Sequence, residues 1–406
     1  MLMDYYELTM SNGYFEKGFK DKMVVFDMFY RKNPDNGGFV VSAGLEQLIE
    51  YIENMHFSKE DIEFLRSKGE FSEGFLQYLA DFKFTGNIDA LPEGTICYPN
   101  TPIVTVTAPV IEAQLIETML LLTMNFQSLI ATKASRICRT AAESGAVVME
   151  FGARRAHGGD AAILGARAAY IGGAAATATV MADERFGVPA IGTMAHSWIQ
   201  FFDNEYEAFK AYAEVYPDNC TLLIDTYDIL NSGLVNAIRV AKEVLEPAGK
   251  RLKGVRIDSG DLAYFSKKIR KTLDAHDMKD CKIVVSNSVD EFLMQSLKKQ
   301  NASIDSYGVG ERMITSKSDP VFGGVYKLAA VQNDAGEFVP KIKISENVEK
   351  ITNPGRNIDA IPLDVATRLF DDSDMHDRFF CVYLFLSEWR EASFAQHLAD
   401  FIESYL

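Results

Sequence analysis

Apolar and polar positions change rhythm twice along the chain, near residue 146 and again after Asp319-Pro320. The first stretch is mixed. Asp4 to Lys17 has helical spacing, Lys22 to Tyr30 alternates with β-rich residues and predicts a strand, and Asn33-Pro34-Asp35-Asn36-Gly37-Gly38 predicts the turn that ends it. Helical spacing returns over Gly44–Met55 and Ser58–Lys68, with Ser58 as an N-cap and Asp61 at the third helical position. Short strands bounded by Gly and Pro fill Phe84–Thr107, and a long helical pattern runs from Val110 to about Glu143. This part is α+β.

From residue 146 short apolar runs alternate with helical patterns. The predicted strands are Ala146–Glu150, Val188–Ile191, Thr221–Ile224, Gly254–Ile257, Lys282–Val285 and Ser303–Tyr307. Between them lie helices over Gly159–Tyr170, Asp203–Val215, Ile229–Leu245, Asp261–Ala275 and Val289–Lys299. This cadence belongs to parallel βα units, in either an open doubly wound sheet or a closed barrel. After Asp319-Pro320 the pattern breaks into two antiparallel strands, Gly323–Val331 and Phe338–Ile344, and an acidic, aromatic tail ending in helix.

Each predicted strand in this region runs into residues that a core does not need. They are Phe151-Gly152-Ala153-Arg154-Arg155-Ala156-His157, Gly192-Thr193-Met194-Ala195-His196, Asp225-Thr226-Tyr227-Asp228, Arg256 with Asp258-Ser259-Gly260-Asp261, Ser286-Asn287-Ser288 and Gly308-Val309-Gly310-Glu311-Arg312. Polar clusters at successive strand C-termini mark an α/β active site, in barrel or open sheet alike. The arginines offer forked donors for carboxylate or phosphate, and the small loops offer backbone N–H groups to a phosphate. Asp225, Asp228, Asp258 and Asp261 suit Mg²⁺ or ribose hydroxyls. Together these point to a phosphorylated sugar. Plainer readings compete: Asp225, Asp228 and Asp261 as helix caps, and His157 and His196 as loop or core histidines. Gly308-Val309-Gly310 lacks the third glycine of a dinucleotide fingerprint, and no P-loop motif occurs.

Charge narrows the partners. Of 406 residues 57 are acidic and 41 basic, a formal net charge of −16. Such a surface repels nucleic acid and anionic membrane, so a phosphate-bearing partner is a small molecule in a locally basic cleft. Five cysteines without a CxxC spacing imply reduced thiols rather than disulfides or structural zinc. The most apolar stretch, Ala113–Ala131, is broken by Gln114, Glu117, Asn125 and Gln127, and Met1–Tyr6 lacks the basic start of a signal peptide. The expectation is a cytoplasmic protein.

One ordered set of motifs resembles the nicotinate phosphoribosyltransferase family. It comprises Asp4-Tyr5-Tyr6-Glu7-Leu8-Thr9-Met10, Phe151-Gly152-x-Arg154-Arg155, Gly192-Thr193-Met194-Ala195-His196-Ser197, Arg256-Ile257-Asp258-Ser259-Gly260-Asp261 and Gly323-Gly324-Val325-Tyr326-Lys327-Leu328. The resemblance implies an irregular TIM-like α/β barrel packed on an N-terminal α+β domain, with a C-terminal extension. The expected boundaries are 1–130, 131–320 and 321–406, the last returning to the first. It also implies ATP-coupled joining of nicotinate to phosphoribosyl pyrophosphate, an early step of NAD salvage, with Mg²⁺ present and a homodimer that shares its active sites. By resemblance His196 is the phosphorylated histidine, Phe151 stacks on the pyridine ring and a neighbouring subunit's Tyr6 covers the other face. Arg154 and Arg256 sit beside the nicotinate carboxylate and phosphoribosyl group, Thr193 lies in the site, Asp258 binds ribose hydroxyls, and Ser288, Gly308 and Gly310 cradle the 5′-phosphate. Asp225 and Asp258 are the expected metal-facing carboxylates. Relatives that use nicotinamide carry an acidic residue where Gly172-Gly173 here leads into Ala174-Ala175-Ala176, which favours nicotinate. The alternatives are a nicotinamide or quinolinate phosphoribosyltransferase, or a non-catalytic phosphosugar-binding protein.

Overall fold

The computed structural model describes residues 1–343. An N-terminal layer is built on β1 (Met23–Tyr30), a strand buried along almost its whole length. β2 (Val40–Val41) and β4 (Ile96–Cys97) form a separate short pair, while β3 (Asn87–Ala90) and β5 (Val104–Pro109) join β1 in its sheet. Helices Leu45–Asn54, Lys59–Ser67 and Glu73–Ala80 contribute Leu48, Leu65 and Phe75 to one core with Tyr30 and Ile103. The Ser58 capping box forms as expected: its hydroxyl accepts from Asp61 N–H, and the Asp61 carboxylate accepts from Ser58 N–H.

The expected long helix divides at Ile116. Val110–Leu115 and Glu117–Ala142 meet there at φ −99° and ψ −5°, outside good helical geometry. The second helix crosses from the N-terminal core into the parallel sheet.

That sheet contains β6 (Val147–Glu150), β7 (Ala176–Thr177), β8 (Thr221–Leu223), β9 (Gly254–Ile257), β10 (Lys282–Val285) and β11 (Ser306–Val309). Its order is β7-β6-β11-β10-β9-β8, parallel throughout. The order is cyclic in sequence, because β11 pairs with the first strand, β6. An isolated bridge between Thr177 and Ala190 extends the open side. The result is a barrel interrupted before β8. The strand expected at 188–191 is reduced to that bridge, and Pro189 explains why, since it has no N–H to give a ladder.

Two further boundaries differ. β7 was not expected; an alanine-rich run carries little β signal. β11 begins three residues later than expected, which places Gly308 inside a strand rather than in a loop. β12 (Gly324–Gln332) and β13 (Phe338–Pro340) then return to the first sheet, completing the order β13-β12-β1-β5-β3. Residue 344 and the C-terminal helix expected before Leu406 lie outside the described residues. Among the described residues no helix is long and apolar enough to cross a membrane.

Candidate active site

Parallel register puts the ends of β6 to β11 on one rim, and the chemistry-bearing residues collect there. Arg256, inside β9, is the hub. Its Nε donates to Ser286 Oγ at 3.0 Å, and its Nη1 donates to Thr193 Oγ1 at 3.1 Å and the Met194 carbonyl at 3.4 Å. The guanidinium carbon lies 5.9 Å from the Phe151 ring centroid, within cation–π range. Ser286 passes the connection on: its hydroxyl donates to Asp258 Oδ1 at 2.6 Å. Asp258 N–H donates to Asp225 Oδ2 at 2.8 Å, and the Ser259 hydroxyl donates to the same oxygen at 2.7 Å.

The network ends at a histidine. Asp225's side chain is fully buried, and its Oδ1 has no hydrogen-bond partner. That oxygen lies 3.9 Å from Nε2 of His196, whose side chain is 41% exposed. His196 Nδ1 is 3.0 Å from Thr226 Oγ1. One ring nitrogen is thus held by a hydroxyl while the other faces a buried carboxylate, an arrangement that orients imidazole for proton or phosphoryl exchange. Phe151, Thr193, His196, Asp225, Arg256 and Asp258 are therefore brought together although they span more than 100 positions of sequence.

Other predicted residues are placed differently. Asp228 and Asp261 are helix caps: Asp228 accepts from Leu230 N–H and Asn231 N–H, and Asp261 accepts from Tyr264 N–H. Arg154 sits exposed in a single turn, Ala153–Arg155, and its side chain makes no hydrogen bond among the described residues. Ser288 is exposed, and both it and Asn287 have left-handed φ values of 51° and 84°. Such strain in consecutive non-glycine residues is typical of ligand-clamping loops. Tyr6 is exposed on the helix Tyr5–Glu16 in the N-terminal layer and makes no ring contact with Phe151 of its own chain. Gly308 and Gly310 admit that ring and its backbone: a Cβ at 308 would come within 2.4 Å of the Phe151 ring, and one at 310 within 3.0 Å of the Phe151 carbonyl.

Two positioning groups escaped sequence reasoning as named candidates. Ser286 is one; its small side chain carried no signal beyond its place after a strand. Glu150 is the other. It is buried at the end of β6, accepts from Thr177 Oγ1 at 2.7 Å and takes the Gly152 N–H, so it fixes the turn carrying Phe151. Burial pushes its pKa up. An acidic residue ending an apolar strand was the available clue.

The donor set bears on a metal. Among the described residues no three His, Cys, Asp or Glu side chains converge as a metal cage. Mg²⁺, however, takes one or two carboxylates and completes its shell with substrate phosphates and water. The orphaned Asp225 Oδ1, with Asp258 beside it, fits that limited role.

Comparison with known proteins gives concordant results. Residues 1–125 match the model of the nicotinate phosphoribosyltransferase N-terminal domain, and residues 146–353 match that of the nicotinate phosphoribosyltransferase family. Nicotinate phosphoribosyltransferase of Bacillus subtilis is 48% identical over 355 residues, covering 87% of this chain and 71% of that protein. The human enzyme of the same name is 31% identical over 411 aligned positions, covering 87% and 75%. The crystal structure of human nicotinic acid phosphoribosyltransferase superposes with a TM-score of 0.74 at 30% identity, covering 82% of this chain and 75% of that one.

Proposed function

The chain belongs to the nicotinate phosphoribosyltransferase family, and from that membership we infer that it joins nicotinate to phosphoribosyl pyrophosphate. The products are nicotinate mononucleotide and pyrophosphate, and the step brings nicotinate into NAD salvage. The observation that carries the reading is the continuous Arg256–Ser286–Asp258–Asp225 network between the Phe151 ring and His196.

The roles follow from charge and geometry. Phe151 offers its face to the pyridine ring. Arg256 spends most of its donors on Thr193, Met194 and Ser286, so the nicotinate carboxylate falls to Arg154, whose guanidinium is uncommitted among the described residues. Asp258 faces the ribose hydroxyls, and Ser288, Gly308 and Gly310 line the 5′-phosphate side. As the glycosidic bond forms, ribose C1 takes on cationic character while pyrophosphate leaves with negative charge. Fixed carboxylates at Asp225 and Asp258 favour the first, and the Arg256 guanidinium favours the second. Asp225 and Asp258 would hold Mg²⁺, which would supply further neutralisation of the leaving group.

ATP enters through His196. Its half-exposed ring accepts the γ-phosphoryl group of ATP as ADP leaves, adding roughly two negative charges beside Asp225 that order loops in the cleft until water cleaves the phosphohistidine. A homodimer with Tyr6 supplied by the neighbouring subunit closes the second face of the pyridine ring. The described cysteines are free thiols, and burial pushes Cys97, Cys220 and Cys281 up to about 12; the setting we propose is cytoplasmic. The two hydrophobic cores support an N-terminal α+β domain over 1–130 and a barrel domain over 131–320, with residues 321–343 returning to the first.

The absent acidic residue also takes a more definite place. Met149 pairs with Ala176 and Glu150 with Thr177, so Ala178 is level with Phe151 while Ala175 lies at the opposite end of β7. The position able to separate carboxylate from carboxamide is therefore Ala178.

The test is turnover of nicotinate and phosphoribosyl pyrophosphate with Mg²⁺, with and without ATP, followed by mass analysis. Nicotinate mononucleotide with ATP-stimulated yield is expected. Absence of pyrophosphate release with nicotinate, nicotinamide and quinolinate alike would defeat the reading.

A further inference from the structure

Beneath Tyr6 lies a carboxyl group that the reaction does not use. Glu7 is completely buried although it belongs to the first turn of the helix Tyr5–Glu16. One oxygen, Oε1, accepts from Thr118 N–H at 3.1 Å, from the Thr118 hydroxyl and from Asp4 N–H at 3.4 Å. The other, Oε2, is buried without a hydrogen-bond partner. Glu117, at the start of the next helix, is also buried, and its Oε2 accepts from Gln114 Nε2 at 2.7 Å.

The titratable groups that interact with Glu7 come from its own turn and from three other elements. They are Asp4 and Tyr6 from its own turn, Glu117 from the helix Glu117–Ala142, Tyr51 from the helix Leu45–Asn54 and Tyr326 from β12. All are acidic or phenolic. Burial, with the Glu117 charge adding to it, pushes the Glu7 carboxyl up to about 7 despite the donors on Oε1. Burial and the same Glu117 carboxylate raise the pKa of the Tyr6 phenol. A buried carboxylate oxygen left without a donor disfavours the charged form of Glu7.

We propose that Glu7 is a positioning residue for the nicotinate site: through its bonds to Thr118 it seats the first helix, and with it Tyr6, on the helix Glu117–Ala142. When Glu7 ionises, it and Glu117 repel across the turn that bears Tyr6, and the phenol loses its fixed placement. The inference rests on the reading that Tyr6 covers the pyridine ring in a neighbouring subunit. It acts on nicotinate binding and leaves the bond-making groups untouched.

The experiment is KM for nicotinate and kcat from pH 6 to 9 for the wild type, Glu7→Gln and Glu7→Ala. In the wild type KM for nicotinate is expected to rise about 5- to 10-fold above pH 7, the scale of one lost aromatic stacking contact, with kcat changed less than about twofold. Glu7→Gln keeps the low KM across the range because it is a permanently neutral isostere. Glu7→Ala shows a raised KM at every pH. A Glu7→Gln profile that tracks the wild type, or an effect on kcat alone, overturns the proposal. Should Glu7→Gln fail to fold, Glu117→Gln removes the same repulsion, and a pH profile unchanged from the wild type in that variant overturns it equally. Failure of the wild type to form nicotinate mononucleotide would strike the functional reading itself; normal turnover with an unaltered Glu7→Gln profile strikes only this inference.

Discussion

Ser286→Ala is the sharpest perturbation of the cleft, because one hydroxyl holds two opposite charges in place. The Ser286 oxygen accepts from Arg256 Nε at 3.0 Å and donates to Asp258 Oδ1 at 2.6 Å. Hydrogen bonds to charged groups contribute about 1.5–3 kcal/mol each. Here they share one atom and are not additive, so about 2–4 kcal/mol is at stake. Both partners survive the substitution, and the direct Arg256–Asp258 approach is only 3.8 Å, too long to replace what is lost. The expected outcome is a fall in kcat/KM for phosphoribosyl pyrophosphate of roughly 30- to 1,000-fold. The assay is steady-state turnover at saturating nicotinate, with a thermal melt to verify folding. Ser286→Thr keeps a hydroxyl and should recover most of the loss. A folded Ser286→Ala protein within about threefold of wild type would show that Arg256 and Asp258 are oriented by something else.

Other outcomes follow from the same geometry. His196→Ala should lose ATP hydrolysis and ATP stimulation while keeping slow ATP-independent synthesis; acid-labile phosphate from ATP still appearing on that variant would exclude His196 as the acceptor. Ala178→Asp should depress nicotinate turnover and spare nicotinamide, since specificity is a difference between two affinities, whereas Ala175→Asp should leave the ratio of kcat/KM values alone. Arg154→Lys replaces a fork with a point charge and should shift that same ratio by about one decade; an unchanged ratio passes the carboxylate to Arg155 or Arg256. Mixing Tyr6→Ala protein with inactive Arg256→Ala protein should lower the raised nicotinate KM of Tyr6→Ala through hybrid dimers, and a fully active monomer in sedimentation would contradict shared sites.

Periodicity carried much of this fold. The strands Gly254–Ile257 and Lys282–Val285 occur where alternation with helices predicted them, because buried parallel strands are short apolar runs with sharp polar ends. It faltered where local chemistry was weak. Ala176–Thr177 is a strand made by its pairing with β6 rather than by propensity, and Pro189 cut its neighbour to one bridge. The site was legible as positions but not as contacts. Asp225 and Asp228 look alike in sequence, each a carboxylate ahead of a helix, yet Asp228 caps that helix while Asp225 turns to Asp258 and Ser259. Only register distinguishes them. Gly308 shows the same limit: its neighbours suggested a phosphate loop, and the fold places it in a strand with the Phe151 ring where a side chain would stand.

The central claim is that this cleft selects nicotinate and joins it to phosphoribosyl pyrophosphate. The most direct measurement supplies nicotinate, nicotinamide and quinolinate together at equal concentration, with phosphoribosyl pyrophosphate, Mg²⁺ and ATP, and identifies the nucleotide products by mass. Nicotinate mononucleotide should dominate, with nicotinate consumed one for one with its formation and neither carbon dioxide nor nicotinamide mononucleotide accumulating. A product mixture led by nicotinamide mononucleotide, or carbon dioxide released from quinolinate, would contradict the account.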